Sequence, residues 1–256
     1  MGLLDGKSIV VTGGNSGIGE AIVLAMAQEG ASVVVDWVAH EDATTQLIQK
    51  VEQAGGRAVG VEADITSAGD LHAMVQKAVD TYGRLDVLVN NAGMETRQSL
   101  LETTEADYDK LMAVDMKSAF FASQAAAKQF VSQGEGGIVI NISSVHEDWP
   151  MAGNIAYCVA KGGMRMLTRT AGVELGQHGI RFVNIAPGAV NTPINAATEA
   201  DPAKKKQLDD SIPLGRQAEP KDIASVAVFL ASGMSSYLTS TTITVDGGMT
   251  QAGPGL

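Results

Sequence analysis

The sequence is short of cysteine and of basic residues. Cys158 is the only thiol among 256 residues, so no disulfide can form within the chain, and a reducing compartment is expected. Lysine and arginine number 18 against 29 acidic residues, which gives a net charge of −11. A surface this acidic disfavours nucleic acids and anionic membranes as partners. It does not exclude a dinucleotide, because backbone amides can bind phosphate without a basic side chain.

Long apolar segments and metal-ligand spacings are also missing. No apolar run approaches the ~18 residues of a membrane span, and residues 1–7 lack the basic-then-apolar pattern of a signal peptide. His72 and His178 stand apart from any cysteine or carboxylate cluster, so we predict no catalytic metal. Together these absences predict a soluble, cytoplasmic protein.

Short β-branched runs alternate with helical patterns along the chain. The runs are continuously apolar, as in strands that helices cover on both faces. Such alternation implies right-handed crossovers and an α/β fold: a single doubly wound, Rossmann-type domain over residues 1–256, with a seven-stranded parallel sheet between helices. Strands are predicted at residues 8–12, 32–35, 58–62, 86–89, 137–142, 181–185 and 242–245. Helices are predicted at residues 17–29, 42–54, 68–82, 105–132, 156–177 and 220–231.

Residues 188–215 interrupt this alternation. The segment is longer than a usual connection and contains Pro193, Pro202 and Pro213. A long excursion from a compact domain is commonly functional, so we expect a lid over the substrate. Its lysine run, Lys204-Lys205-Lys206, is interpreted as a solvated helix face.

A glycine-rich stretch, Thr12-Gly13-Gly14-Asn15-Ser16-Gly17-Ile18-Gly19, follows the first strand and opens the first helix. Glycines at such a turn let the backbone approach a pyrophosphate, and the helix N-terminus offers amides and a positive dipole end. The spacing is T-G-x-x-x-G-x-G rather than G-x-G-x-x-G. It predicts dinucleotide contacts at Gly13, Asn15, Ser16, Gly17, Ile18 and Gly19.

The ends of the next strands predict the rest of the cofactor site. Asp36 and Trp37 follow the second predicted strand, where a carboxylate can accept from both ribose hydroxyls and repel a 2′-phosphate. No arginine or lysine follows closely, which favours NAD over NADP. Further cofactor contacts are expected after the third and fourth strands, at Asp64, Ile65, Asn91, Ala92 and Gly93.

Tyr157 and Lys161 are the most informative pair for chemistry. Four residues apart on a predicted helix, they share one face. A free tyrosine ionises near pH ~10, and a nearby cation lowers that pKa. Such a pair can therefore take or give a proton at a hydroxyl or carbonyl group.

Five motifs in this order resemble the short-chain dehydrogenase/reductase family. They are residues 12–19, Asn90-Asn91-Ala92-Gly93, Ser143-Ser144, Tyr157-x-x-x-Lys161, and Pro187-Gly188 followed by Thr192. The resemblance covers nearly the whole chain, from Gly6 to Gly248. It implies an enzyme that moves a hydride between a substrate carbon and a nicotinamide.

The resemblance also implies roles for individual residues. Ser144 is expected to hydrogen-bond the reacting oxygen, and Tyr157 to act as general base in alcohol oxidation. Lys161 is expected to lower the pKa of the tyrosine and to hold the nicotinamide ribose. The residues expected to contact the nicotinamide after the sixth strand are Pro187, Gly188, Val190 and Thr192.

Asp115 departs from the family pattern, which has an asparagine at this position. In the family that asparagine helps to hold a water chain to the lysine. Asp115 can still accept a hydrogen bond, but its charge favours protonated Lys161 and opposes ionisation of Tyr157. We therefore predict slower or more alkaline turnover than in a variant with asparagine.

Several stretches resemble one branch of the family, the bacterial glucose 1-dehydrogenases. They lie at residues 91–95, 143–147, 187–195 and 246–251. This resemblance implies oxidation of an aldose, similar to glucose, to its lactone. A sugar needs several hydrogen-bonding partners, for which Ser144, Glu95, His146 and Asn195 are candidates. Trp149 is a candidate for stacking on the sugar ring.

Other functions stay open. Residues 148–153, in the expected substrate loop, differ from that branch. Another polyol or secondary alcohol, or the carbonyl of a 3-oxoacyl thioester, is therefore an alternative substrate. A second alternative is a dinucleotide-binding protein without catalysis, against which the intact Ser144, Tyr157 and Lys161 argue. The family resemblance also implies a homotetramer.

Overall fold

The computed structural model describes residues 2–195 and 200–252. Its strands are β1 Ser8–Val11, β2 Ser32–Trp37, β3 Arg57–Glu62, β4 Val87–Asn90, β5 Gly137–Ile142, β6 Ile180–Pro187 and β7 Thr241–Val245. They form one parallel sheet of seven strands in the order β3-β2-β1-β4-β5-β6-β7. The predicted doubly wound α/β fold is confirmed.

Helices cover both faces of this sheet. They are α1 Gly17–Gln28, α2 Glu41–Gln53, α3 Ala68–Tyr82, α4 Glu105–Met112, α5 Ser118–Gln133, α6 Ile155–Leu175, α7 Pro202–Asp210 and α8 Pro220–Ala231. None of the helices in the described part of the chain combines the length and the apolar character that a bilayer span requires.

Successive strand residues point to opposite faces and build two apolar layers. On one face, Val11 belongs to a cluster with Ile22 of α1 and Ile223 of α8. On the other face, Val10 belongs to a cluster with Phe130 of α5. Because both faces are covered, successive strand positions are apolar, as in Ile9, Val10 and Val11 of β1.

The strand order reverses beside β1, whose neighbours are β2 and β4. Val10 is paired with Val34 on one side and with Leu88 on the other. The connections that leave β1 and β4 therefore diverge to opposite faces and open a crevice at the carboxyl edge. The glycine-rich loop and the segment after β4 both face this crevice.

The helix predicted at residues 105–132 is interrupted. A π-helical turn, Ala113–Lys117, separates α4 from α5. Such a turn accommodates extra backbone and is frequent at functional sites. Here it carries Asp115, whose side chain is completely buried. Side-chain periodicity did not reveal it, because the helical pattern continues on both sides of the turn.

Part of the predicted excursion at residues 188–215 is helical. α7 begins after Asp201, whose carboxylate accepts from the amides of Ala203 and Lys204 at 3.0 and 3.3 Å. The lysine run lies on this helix, and Lys206 pairs with Asp210 at 2.6 Å in an exposed position. Residues 196–199 of the excursion lie outside the described residues, and its role as a lid stays a prediction.

Candidate active site

A cavity of about 590 Å³ opens at the carboxyl edge of the sheet, and its size suits a small-molecule or cofactor site. It brings together most of the predicted site. The predicted residues that line it are Gly13, Ser16, Gly17, Ile18, Asp64, Ile65, Asn91, Ala92, Gly93, Glu95, Asp115, Ser144, His146, Tyr157, Lys161, Pro187, Gly188, Val190, Thr192 and Asn195. The predicted residues outside its lining are Asn15, Gly19, Asp36, Trp37 and Trp149.

The loop after β1 is fastened to the segment after β4. The hydroxyl of Thr12 accepts from the amides of Asn91 and Ala92, both at 3.0 Å. The side-chain amide of Asn91 donates in turn to the carbonyls of Thr12 and Gly13 at 2.9 and 3.0 Å. A Cβ on Gly19 would lie 2.2 Å from the carbonyl oxygen of Gly13, so the turn requires glycine. Gly19 thus shapes the loop instead of lining the cavity.

The start of α1 is suited to an anion. Ser16 is extended and its side chain caps no amide of the helix, while Gly17 has a φ of 54°. The amides of the first turn are therefore left without a side-chain cap, at the positive end of the helix dipole. This end of the cavity fits the pyrophosphate of a dinucleotide.

Asp36 lies beneath the glycine-rich loop and does not face the cavity. Its Oδ1 accepts from the amide of Gly13 at 2.5 Å, and the side chain is buried. Burial raises the pKa of Asp36 to about 6, although hydrogen bonds from Gly13 and Gly14 act in the opposite direction. The Trp37 ring packs over Gly60 of β3. Asp36 and Trp37 thus make contacts within the protein, and their contacts with a ribose stay a prediction.

Two other predicted residues support the walls of the cavity. The side-chain amide of Asn15 donates to the hydroxyl of Thr44 at 3.1 Å and ties the loop to α2. The ring of Trp149 stacks on His146 with 6.3 Å between centroids, and its carbonyl lies 2.9 Å from Nδ1 of His146. A carbonyl can only accept, so Nδ1 carries the hydrogen and Nε2 of a neutral imidazole remains an acceptor.

Three predicted catalytic groups meet at the centre of the cavity. Tyr157 and Lys161 lie one turn apart on α6, with Nζ 5.4 Å from the centroid of the phenol ring. Ser144 follows β5, and its hydroxyl acts on Tyr157 by lowering the pKa of the phenol. The same hydroxyl accepts from the amide of His146 at 3.2 Å, where Ser144 caps the 3₁₀ turn Val145–Glu147. A substrate oxygen held between Ser144 and Tyr157 can exchange a proton with the phenol.

Asp115 and Lys161 form a buried ion pair with 3.2 Å between Oδ2 and Nζ. The amide of Met94 donates to Oδ1 of Asp115 at 2.8 Å, and Lys161 also donates to the carbonyl of Ile142 at 3.3 Å. Burial lowers the pKa of Lys161, but the negative charge of Asp115 acts in the opposite direction and the pKa is raised overall. Lys161 is therefore a cation at neutral pH.

Burial has the largest influence on Tyr157 and raises the pKa of its phenol. The charge of Lys161 and the hydrogen bond with Ser144 lower this pKa, while the charges of Glu95 and Asp115 raise it further. The net direction is upward, so the phenol keeps its proton at neutral pH. Further positive charge nearby would favour its ionisation, and a bound oxidised nicotinamide would supply such a charge.

Some residues that line the cavity were not predicted from the sequence. Val38, Arg97 and Leu208 face the cavity. Arg97 pairs with Glu95 at 3.6 Å. Because it follows this candidate site residue by two positions, the sequence could have indicated that Arg97 lies near the site. Within residues 2–195 and 200–252, no three histidine, cysteine or carboxylate side chains form a group that could hold a metal ion.

A helix start suited to an anion and a Ser–Tyr–Lys set lie in the same crevice, which is the arrangement of an oxidoreductase with a Rossmann-type fold. The chain belongs to the short-chain dehydrogenase/reductase family. Residues 13–250 match the family model described as enoyl-(acyl carrier protein) reductase. The family resemblance seen in the sequence is thereby confirmed.

Several dehydrogenases are similar to the chain over nearly their whole length. It is 37% identical to 3β-hydroxysteroid dehydrogenase 1 of Eggerthella lenta, over 96% of this chain and 95% of the relative. It is 37% identical to L-rhamnose 1-dehydrogenase (NAD(P)(+)) of a Sphingomonas species, over 97% and 98%. Identity to glucose 1-dehydrogenase 2 of Bacillus subtilis is 35% over 96% of each chain. The crystal structure of acetoin dehydrogenase from Enterobacter cloacae superposes with a TM-score of 0.88, at 37% identity and 98% of each chain.

Proposed function

We propose that this protein oxidises an aldose at its anomeric hydroxyl and passes the hydride to NAD, giving the lactone. The observation that carries the proposal is that Glu95 and His146 share the cavity with Ser144 and Tyr157. A carboxylate and an imidazole acceptor suit adjacent sugar hydroxyls, and buried polar partners discriminate against analogues that lack them. The similarity to a rhamnose and a glucose 1-dehydrogenase supports the same substrate class.

The residues divide the chemistry among them. Ser144 donates a hydrogen bond to the reacting oxygen while the Tyr157 phenolate accepts the hydroxyl proton. A bound nicotinamide supplies the acceptor for the hydride that leaves the anomeric carbon. The electron pair of the broken O–H bond completes the carbonyl of the lactone. Lys161 stabilises the phenolate, and Asp115 holds Lys161 in place.

The proposal includes a preference for NAD over NADP. Among the described residues that line the cavity, the lysine and arginine side chains are Lys161 of α6 and Arg97 of the segment after β4. The end of β2 presents Val38, which is 70% exposed, where a 2′-phosphate needs a cation. Since Asp36 lies beneath the loop, the support for this preference is the missing cation and not a carboxylate on the ribose.

Reduced-nicotinamide absorbance with a panel of aldoses, polyols and secondary alcohols, each with NAD and NADP, tests this function. We expect the highest kcat/KM for an aldose with NAD. Tyr157→Phe serves as the control, because it removes the general base while the cofactor cavity stays intact. If no aldose is turned over and another alcohol is, the proposed substrate is wrong.

A larger apolar secondary alcohol is the second candidate substrate. Met94, Met151, Met249 and Leu208 line the cavity, and flexible methionines accommodate irregular apolar ligands. The similarity to a 3β-hydroxysteroid dehydrogenase agrees with this reading. Faster turnover of a hydroxysteroid than of any aldose would favour it. Consumption of reduced nicotinamide with a 3-oxoacyl thioester would favour the reductase alternative. Tight cofactor binding without turnover of any substrate would favour a non-enzymatic role.

We also propose that the protein is a cytoplasmic homotetramer. A second cavity of about 300 Å³ lies between α4 and α6. Large apolar side chains are exposed around it and along α6, namely Leu100, Tyr108, Ile155, Val159, Met166 and Val173. Contiguous apolar surface of this kind is typical of subunit interfaces. Size-exclusion chromatography with light scattering tests the assembly, and a monomer would contradict it.

A further inference from the structure

The carboxyl group of Glu147 is buried, with 3% of its side chain exposed, although no step above uses it. The hydroxyl of Ser143 and the side-chain amide of Asn184 donate to Oε2 at 2.6 and 2.8 Å. The hydroxyl of Thr242 donates to Oε1 at 2.6 Å, and Nε of Arg165 lies 3.8 Å from the same oxygen. One carboxyl group therefore joins the end of β5, β6, β7 and α6.

Behind Glu147, a row of buried amides crosses the sheet. Asn90, Asn141 and Asn184 are register neighbours on β4, β5 and β6, and Asn184 is paired with Thr242 of β7. Asn90 donates to Asn141 at 2.8 Å, and Asn141 donates to Asn184 at 3.3 Å. Asn141 also donates to the hydroxyl of Thr168 on α6 at 2.7 Å. Connected polar groups in a low-dielectric interior hold one another in place, so this row gives Glu147 a rigid support.

Glu147 ends the 3₁₀ turn that Ser144 begins. The amide of Glu147 donates to the carbonyl of Ser144 at 2.9 Å, and the hydroxyl of Ser144 accepts from the amide of His146 inside the turn. On the other side, Ser143 donates its amide to the carbonyl of Ile185 at 2.8 Å and its hydroxyl to Glu147. The residue before Ser144 and the turn after it are thus fastened to the sheet by the same carboxyl group.

We propose that Glu147 is a positioning residue that fixes the hydroxyl of Ser144 relative to Tyr157. This inference rests on the proposed function, in which Ser144 hydrogen-bonds the reacting oxygen. A carboxylate suits the task because its two oxygens accept from several donors at once. Displacing a reacting group by the order of 1 Å costs about 100-fold in rate, so the fastening of the turn matters for catalysis.

A double-mutant cycle tests the inference, with the alcohol that the wild type oxidises fastest. Glu147→Gln keeps the side-chain size but turns one acceptor into a donor. It is expected to lower kcat about 10- to 100-fold while leaving the Kd for NADH, measured by fluorescence, unchanged. In a Ser144→Ala background the same substitution is expected to leave kcat unchanged, because the two residues act as one unit. Equal losses in both backgrounds, or no loss in Glu147→Gln, would overturn the inference.

Asp148→Asn is the matched control. Asp148 is the next residue and also pairs with Arg165, but its side chain is 69% exposed. Although it begins the loop expected near the substrate, Asp148 is outside both the buried network and the lining of the cavity, so its substitution is expected to leave kcat at the wild-type value. A loss equal to that of Glu147→Gln would show that the charge near Arg165 matters and not the fastening of the turn, which would also overturn the inference.

Amide hydrogen exchange tests the fastening without any substrate. Residues 143–149 are expected to exchange faster in Glu147→Gln than in the wild type, while β1 and α1 exchange as before. Unchanged exchange in 143–149 would overturn the positioning role whatever the substrate panel shows. If residues 143–149 exchange faster but no aldose is turned over, the positioning role is supported and the proposed substrate is wrong. If Glu147→Gln does not fold, Ser143→Ala removes one donor to Oε2 and is expected to show the same changes on a smaller scale.

Discussion

Oδ2 of Asp115 lies 3.2 Å from Nζ of Lys161, and both side chains are buried. The carboxylate charge raises the pKa of Lys161 and opposes the ionisation of Tyr157. The resemblance to the short-chain dehydrogenase/reductase family predicts a neutral asparagine at this position. Asp115 therefore sets the charge balance of the catalytic groups in this chain.

Asp115→Asn is expected to move the pH–rate profile. Removing the negative charge lowers the pKa of Tyr157, so its basic form is available at a lower pH. The ascending limb of kcat/KM for alcohol oxidation is therefore expected to shift to lower pH. Asp109→Asn, an exposed position on α4, removes the same charge and is expected to leave the profile in place. An unchanged profile in Asp115→Asn would contradict the role assigned to this carboxylate.

Asp36 is expected to make stability depend on pH. Its pKa is about 6 in the folded protein, above an unfolded value near ~3.9. Between these values the folded state binds more protons than the unfolded state, so the free energy of unfolding falls as pH rises. For this group the fall amounts to about 3 kcal/mol. Asp36→Asn keeps an acceptor for the amide of Gly13 and is expected to abolish this contribution.

Urea unfolding below pH ~4 and above pH ~6.5 measures the effect of Asp36. Asp42→Asn, exposed in the first turn of α2, is the control and is expected to keep the wild-type pH dependence. The same fall in stability in the wild type and in Asp36→Asn would show that the buried carboxyl group is not its source.

Thr12→Val is expected to weaken two loops at once. The variant keeps the shape of the side chain but leaves the amides of Asn91 and Ala92 without their acceptor, at a cost of about 1–3 kcal/mol. We expect a lower free energy of unfolding and weaker NADH binding, measured by urea titration and fluorescence. Thr12→Ser retains the hydroxyl and should retain both properties. If the serine variant loses as much as the valine variant, packing and not hydrogen bonding explains the loss.

Val38→Arg is expected to improve the use of NADP. Val38 lines the cavity at the end of β2 and is largely exposed, so a guanidinium there can pair with a 2′-phosphate. The ratio of kcat/KM for NADP to that for NAD should rise about tenfold, as one charge-assisted hydrogen bond of about 1.5 kcal/mol predicts. Val38→Gln has a similar reach without the charge and should leave the ratio near its wild-type value. An unchanged ratio in Val38→Arg would mean that the cofactor ribose lies elsewhere.

The fold could be predicted because its signals are local. Runs such as residues 33–35 and 138–140 have apolar residues at successive positions, which distinguishes strands covered on both faces. Parallel pairing of such strands requires the helices between them. Motifs at the carboxyl ends of β1 and β4 meet in one crevice, as the topology dictates. The proximity of Tyr157 and Lys161 could also be predicted, because their spacing places them on one helix face. The role of Ser144 was predicted from the resemblance to the family.

The remaining features depend on contacts that no local pattern encodes. Asp36 was predicted to face a ribose. In the structure its carboxylate accepts from the amide of Gly13 in the glycine-rich loop, a contact that the sequence pattern does not encode. The π-helical turn at Asp115 lies inside a continuous helical pattern. The contacts of Glu147 with Asn184 and Thr242 depend on the register of β6 and β7, which the sequence does not specify.

Transfer of deuterium from an aldose labelled at C1 tests the central claim most directly. The wild-type protein is incubated with NAD and the labelled aldose that it oxidises fastest, and the reduced nicotinamide is analysed by mass spectrometry. Oxidation at the anomeric hydroxyl predicts one deuterium in each reduced nicotinamide, and none when the label is at C2. Reduced nicotinamide without deuterium from the C1-labelled sugar, or no reduction by any aldose, would contradict the account.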